Sequence, residues 1–272
     1  MKMERSVGLV SVANARQLGG LRTNDDRIVR ENVLIRSGHT AKINESDTER
    51  LKSVFHLSDI VDFRTSAEMK GQEDPPIEGV TYHHVSIISE DELSSESSGL
   101  SAPKDTPEGL MLFLKTVDRL NIFHDSMYID FLETETGKSG YRRFFEILLA
   151  ADDDSSVLWH CASGKDRTGL AAMLILSCLN VDEETIIRDY MLTNEYNAER
   201  IRSTRQFILD SGEDSRLAEN IALFGGVHER YLTIALNHLK TEYGSPLGYI
   251  KKALTLSDKD IRELRSKFLI RV

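Results

Sequence analysis

The sequence predicts an α/β chain, with a central, mostly parallel sheet flanked by helices and a C-terminal part that is largely helical. Three observations carry this. Val157-Leu158-Trp159 is a short apolar run closed by His160 and Cys161; small, glycine-containing residues follow to Lys165, and a long apolar run extends from Thr168 to Leu179. That order reads as buried strand, tight loop and buried helix. Earlier, short β-favouring runs at Val33–Ile35, Ser58–Phe63 and Val80–Ile88 are separated by turn residues and helical patterns. Beyond residue 182 helical patterns follow one another without a strand between them. The 272 residues are enough for a full core, and no linker or internal repeat interrupts them, so a single domain over 1–272 is expected.

From the N-terminus, Ser11 to Leu21 is a polar loop closed by Gly19 and Gly20. Val33 to Ile35 is a strand ending in the turn Arg36-Ser37-Gly38. Thr40 to Phe55 reads as a helix, with Asn44 or Ser46 as N-cap before an acidic first turn. Ser58 to Phe63 is a strand whose end runs into Asp62-Phe63-Arg64-Thr65. Val80 to Ile88 is another, carrying His83 and His84; neighbours in a strand face opposite ways, so this pair alone cannot share a metal. Ser89 to Pro107, rich in Ser, Glu and Asp, is the best candidate for a mobile excursion or lid. Gly109–Glu133 and Tyr141–Ala150 read as helical, and Asp152-Asp153-Asp154 as a solvated turn rather than a metal site. Helical patterns then cover Asp182–Asn194, Ala198–Leu209, Arg216–Phe224 and Val227–Tyr243, and a last helix starts after Ser257 as cap.

The strand–loop–helix stretch is suited to binding an anion. Loop amides can turn inward as a nest, and the first helical turn leaves N–H groups free, with the helix dipole adding positive charge there. The backbone of Ala162, Ser163, Gly164 and Lys165 is the expected cradle. Cys161 stands where those amides would favour a thiolate; a free thiol ionises with a pKa of about 8.5, which helix N-termini and cations lower. Arg167 can grip two phosphate oxygens with its planar fork, and the Thr168 hydroxyl can reach the sulfur. A nucleotide-binding loop would need Ser or Thr after Gly164-Lys165, where Asp166 stands instead.

The formal charge of −10 argues against a nucleic-acid surface, so positive charge has to be concentrated locally. The two cysteines, Cys161 and Cys178, are placed too awkwardly to bridge and suit a reducing compartment. Met1 to Val10 lacks the apolar core of a signal peptide, and no run reaches the length of a membrane span. A cytoplasmic location is expected, with export by an unrecognised route left open.

Cys161-x5-Arg167-Thr168 resembles the active-site loop of cysteine-dependent tyrosine and dual-specificity phosphatases. The longer His160-Cys161-x-x-Gly164-Lys165-Asp166-Arg167-Thr168-Gly169 is similar to one branch, bacterial and fungal tyrosine phosphatases that also act on phosphoinositides. Asn14-x-Arg16-Gln17-Leu18-Gly19-Gly20 matches a segment of that branch, except that Gln17 replaces the usual Asp. Leu34-Ile35-Arg36-Ser37, the strand end at Asp62 and Arg64, and Asp189-Tyr190-x-Leu192-Thr193-Asn194 also look like family segments, the last of them structural.

The resemblance implies a phosphatase fold and a phosphocysteine intermediate, without metal or cofactor. It implies phosphotyrosine proteins or phosphoinositides as partners. It places Asp62 and Arg64 at the rim of the substrate site. The chain's only tryptophan, Trp159, is followed by His160, so it has no Trp-Pro-Asp acid loop. The branch implies Asp166 as general acid, with Asp62 as the alternative, and Lys165 as a second cation for multiply phosphorylated lipids. His160 is expected to orient the loop backbone. The rivals are a rhodanese-like sulfurtransferase, which would not specifically require Arg167-Thr168, and a silent phospho-binding module, which would commonly lack Cys161 or Arg167.

Overall fold

The computed structural model describes residues 5–89, 124–213 and 215–271, with positions 109, 111, 112, 115, 116 and 119 between them. In chain order the elements are β1 (Arg16–Gln17), β2 (Arg27–Val29), β3 (Leu34–Ser37), α1 (Glu45–Ser53), β4 (Leu57–Asp62), α2 (Ser66–Met69), β5 (Thr81–His84), α3 (Met127–Glu133) and α4 (Glu135–Ala150). They continue with β6 (Ser156–His160), α5 (Asp166–Cys178), α6 (Glu183–Tyr196), α7 (Ala198–Asp210), α8 (Ser215–Gly225), α9 (Glu229–Tyr243), α10 (Pro246–Lys252), α11 (Asp258–Phe268) and β7 (Leu269–Arg271). The stretch read as a lid lies, beyond Ser89, outside the described residues.

The central sheet has the order β1-β3-β6-β4-β5. Its last four strands run parallel, and β1 is antiparallel to β3. Both faces are covered, as a parallel sheet requires. Along β6, Val157 and Trp159 enter the larger apolar cluster and Leu158 the smaller one; Val61 and Ile60 of β4 divide in the same way. This is the period of two that a pleated strand imposes. The registers bring Ser37, His160, Asp62 and His84 side by side at the carboxyl ends of the four parallel strands. Ligands of open α/β sheets bind at that edge.

Helix α5 is buried from Leu170 to Leu176, as expected of a helix that is apolar all round. It begins at Asp166, earlier than its apolar run suggested. Helix α4 likewise begins earlier than expected, at Glu135 rather than Tyr141, with Thr134 capping the Gly137 amide. At Gly140 the helix passes so close to β5's exit that an added Cβ would stand 2.6 Å from Ile87. Asn44, one of the two expected caps of α1, accepts from the Asp47 amide, and Ser257 forms a capping box with Asp260. The pairing of β2 with β7, which joins the two ends of the chain, has no counterpart in the sequence reading. Each strand is three residues long, too short to display a period. Among the described residues, no helix is long and apolar enough to cross a membrane.

Phe144 of α4 is fully buried against the strand that carries the loop. Its ring meets Trp159 edge-on at a centroid distance of 5.2 Å and Phe63 at 5.6 Å. Phe144→Ala should therefore lower unfolding free energy by about 3–5 kcal/mol in urea titrations. A loss below about 1 kcal/mol would show that α4 does not clamp this strand.

Candidate active site

Strand β6 enters the loop at His160, and Cys161 is buried at its foot with 2 % exposure. Gly164 has φ +68°, and a Cβ there would stand 2.2 Å from the Ser37 carbonyl oxygen, so only glycine fits the bend. The loop carbonyls are held from outside. Cys161 O accepts from His160 Nδ1 at 3.2 Å, which places a proton on that nitrogen because a carbonyl can only accept. Ala162 O accepts from the His39 amide at 3.4 Å. Gly164 O accepts from Asn14 Nδ2 at 2.8 Å and from an Arg36 terminal nitrogen at 3.0 Å. The amides of Ala162, Ser163 and Gly164 have no protein acceptor among the described residues. An inward-facing nest of this kind binds anions.

Asp166 and Arg167 lie in the first turn of α5. That turn is fixed from the core side: Trp159 Nε1 donates to Thr168 O and Tyr141 Oη to Arg167 O, each at 3.2 Å. Arg167 is buried and meets Glu68 of α2 end-on, with both terminal nitrogens 2.6 Å from carboxylate oxygens. Its Nη1 also donates to Phe63 O at 3.2 Å. A guanidinium has five N–H donors, and among the described residues these three bonds leave Nε–H and one Nη2–H, a second fork with the spacing of two phosphate oxygens. Glu68 is itself fixed, because Thr65 and Glu68 close a capping box at the start of α2. Burial pushes the Glu68 carboxyl up, but the charge and hydrogen bonds of Arg167 overcome this and hold it at about 2. Burial pulls Arg167 down, and Glu68 reverses it, so the guanidinium titrates above its ordinary value.

Asp166 keeps part of its side chain in solvent. One oxygen accepts from Tyr128 Oη at 2.6 Å, and the other lies 3.3 Å from Lys165 Nζ. Tyr190 Oη stands 2.7 Å behind Tyr128 Oη. Burial and the Asp166 charge push the Tyr128 hydroxyl well above its usual value, so it stays protonated. Lys165 is buried, with Nζ donating to Gly226 O at 3.3 Å. Ser163 faces α7, where Arg200 Nη1 reaches its hydroxyl at 3.5 Å. Thr168 Oγ1 is fully buried and has no hydrogen-bond partner among the described residues, so the expected bond to the Cys161 sulfur is not formed. With α5 starting at Asp166, Thr168 belongs to the helix and its side-chain direction follows the helix rather than the loop.

The structure encloses Asp62 and Arg64 instead of leaving them at an open rim. Arg64 donates to Asp62 from Nε and Nη2, and to Asp74 at 2.8 Å. Asp62 also accepts from Tyr82 Oη at 2.6 Å. Burial pushes the Asp62 carboxyl up; His160, Arg64 and Tyr82 outweigh it and hold the group ionised, well below the carboxylate range. His160 Nε2 lies 3.0 Å from Asp74 Oδ2, off the axis of a hydrogen bond. Asp62, Asp74 and His160 have the composition of a metal site. However, the Arg64 guanidinium bonds both carboxylates and already supplies the cation there. His83 and His84 point to separate partners, Asp59 and the Arg64 carbonyl, each at 2.7 Å.

Several site residues escaped sequence reasoning. Glu68 was recoverable, since Thr65-x-x-Glu68 is a capping-box pattern. Tyr128 and Asp74 reach the site from distant elements and carry no local signal. Asn14, Arg16 and Asp189 lay in segments noticed only by resemblance; Arg5, Arg16 and Arg36 all converge on the buried Asp189 carboxylate.

The family model described as Tyrosine phosphatase family matches residues 7–270. A protein of Cupriavidus necator, named provisionally as a tyrosine-protein phosphatase, is 28 % identical over 261 residues, covering 95 % of this chain and 86 % of its own. The triple specificity protein phosphatase PtpB of Mycobacterium tuberculosis is 26 % identical over 266 residues, covering 89 % of this chain and 92 % of its own. A tyrosine-protein phosphatase of Nostoc commune is 31 % identical over 121 residues, 43 % of this chain and 40 % of its own.

The Glu68–Arg167 pair has a pH signature. Because the folded Glu68 value lies below the ordinary one, the pair stabilises the fold above pH 4.5, and this is lost as pH falls toward about 2. Across the window from pH 4.5 to 2, the urea midpoint of the wild type should fall more steeply than that of Glu68→Gln, whose amide does not titrate. Parallel curves would show that the pair does not contribute to stability.

Proposed function

The chain belongs to the tyrosine phosphatase family, and from that premise we propose a cysteine-dependent phosphomonoester hydrolase, folded as one domain, that acts on phosphotyrosine proteins and also on phosphoinositides. The observation that carries the reading is the second fork of Arg167, left open beside three unpaired loop amides and Cys161. Two relatives that span most of the chain bear phosphatase names, one of them triple specificity.

In the first step Cys161 Sγ attacks phosphorus and the P–O bond to the leaving group breaks, giving a phosphocysteine. The leaving oxygen takes a proton from Asp166. In the second step water attacks phosphorus, its proton passes to the Asp166 carboxylate, and the P–S bond breaks to release phosphate and restore the sulfur. Loop amides and Arg167 stabilise the charge on the equatorial oxygens in both steps, which is most of what phosphoryl transfer needs. Asp62 is a poor acid by comparison, because it is fully enclosed, ionised and bonded to Arg64 and Tyr82. Lys165, held between Gly226 and Asp166, adds a cation that a multiply phosphorylated inositol ring would meet beyond the phosphate under attack.

Release of phosphate from nitrophenyl phosphate should be abolished in Cys161→Ser; persistent turnover, or persulfide transfer from thiosulfate by the wild type, would refute the assignment. Asp166→Ala should lose about 10²–10⁴-fold on alkyl phosphates, which need a proton donor, and much less on nitrophenyl phosphate. Equal losses on both would remove its acid role. Lys165→Ala should impair phosphoinositide hydrolysis more than phosphopeptide hydrolysis, and an identical effect on both would leave the lipid reading without support.

A further inference from the structure

The loop amides can face an anion only if the loop carbonyls face away. In a trans peptide the C=O of one residue and the N–H of the next point in opposite directions. Pinning Gly164 O outward therefore aims the Lys165 N–H inward, and pinning Ser163 O aims the Gly164 N–H. One side chain reaches both carbonyls: Asn14 Nδ2 is 2.8 Å from Gly164 O and 3.5 Å from Ser163 O. Asn14 is 3 % exposed and has φ +56°, a left-handed conformation that asparagine tolerates better than most residues.

The amide of Asn14 is itself aimed. Its Oδ1 accepts from Arg16 Nη1, which leaves Nδ2 turned toward the loop. Arg16 is fully buried; it lies 3.3 Å from the Asp189 carboxylate and donates to the Asp189 carbonyl at 2.9 Å. Asp189 also holds Arg36, which adds the second bond to Gly164 O. A chain of bonds thus runs from helix α6 through Asp189 and Arg16 to Asn14 and into the loop. The guanidiniums of Arg5, Arg16 and Arg36 all meet the Asp189 carboxylate behind the loop.

We propose that Asn14 is the positioning residue of the phosphate site: directed by Arg16 and Asp189, it fixes the Ser163 and Gly164 peptides with their N–H groups facing the bound oxyanion. This rests on the reading of the loop as a phosphate site. It assigns to the N-terminal polar loop a function in substrate binding, although Asn14 touches no substrate.

The test uses two substitutions in the full-length chain. Asn14→Asp keeps the size, the tolerance for positive φ and an acceptor for Arg16, but sets a carboxylate oxygen against the Gly164 carbonyl. Asn14→Gly removes the side chain without backbone strain. Each should lower kcat/KM for nitrophenyl phosphate by about 10²-fold, the scale of a small misplacement at a reacting centre. In a Cys161→Ser background, where no chemistry occurs, each should weaken inorganic phosphate binding in calorimetry by about 10-fold or more. Melting temperatures should stay close to the parent's, at least for Asn14→Asp. Folded variants that bind phosphate as tightly as their parent would overturn the proposal. So would loss of cooperative melting in both, which would make the cluster a support of the fold rather than of the loop. If Cys161→Ser binds phosphate while the wild type releases none from nitrophenyl phosphate, the enzymatic reading fails and the Asn14 test still stands on binding alone.

Discussion

A phosphate-binding loop requires consecutive peptide units to be turned in one direction against their own tendency to hydrogen-bond with neighbours. In the Cys161–Gly164 loop three carbonyls have donors from outside the loop. His160 serves Cys161, the His39 amide serves Ala162, and Asn14 with Arg36 serves Gly164. The donors come from the strand that carries the loop and from β3, its exit and the N-terminal segment. Buried carbonyls seldom go unpaired, so this set of partners leaves the N–H edge as the one open to a ligand. The close approach of Ser37 to Gly164 belongs to the same design: the strand end lies so near that the bend can be made only of backbone.

Charge follows the same logic. The protein is acidic overall, with a formal charge of −10, yet its largest fully buried side chains include Arg16, Arg36 and Arg64. A buried guanidinium is tolerated only with an acceptor in good geometry. Arg64 is neutralised twice, by Asp62 and Asp74. Arg16 and Arg36 have to share Asp189 with Arg5. The Arg64 cluster lies at the strand ends, and Arg36 of the Asp189 cluster bonds Gly164 O. Burial, and after it the neighbouring Arg16, lower Arg36 to about 10 against the opposing pull of Asp189.

The sequence displayed what local pattern can display. Val157 to Leu179 announced strand, loop and helix through apolar runs flanking small residues, and Cys161 with Arg167 marked the candidate site. Caps such as Asn44 and Ser257 were legible because a cap is a local hydrogen bond. What stayed hidden depends on distance. Tyr128 meets Asp166, and Asp74 meets His160, across large separations in sequence. The start of α5 was read late because Asp166 and Arg167 are polar, although they sit in the first turn, where polar side chains belong. The resemblance places Asp62 and Arg64 at a rim, but β4 runs between β5 and β6, and the pair at its end is buried.

The substitution of Gln17 for the more usual aspartate fits this division of labour. Gln17 Oε1 accepts from the Asn32 amide at 2.6 Å, on the turn between β2 and β3, and among the described residues its side chain makes no bond to the Cys161–Gly164 loop. An amide oxygen accepts that bond as a carboxylate would, without adding negative charge to the segment that must deliver Arg16 and Asn14. The two neighbours therefore face different constraints. Position 17 needs only an acceptor, whereas Asn14 has to accept from Arg16 with one atom and donate to Gly164 with the other. Only a carboxamide does both on a side chain this short, and an aspartate at position 14 would satisfy Arg16 while repelling the loop.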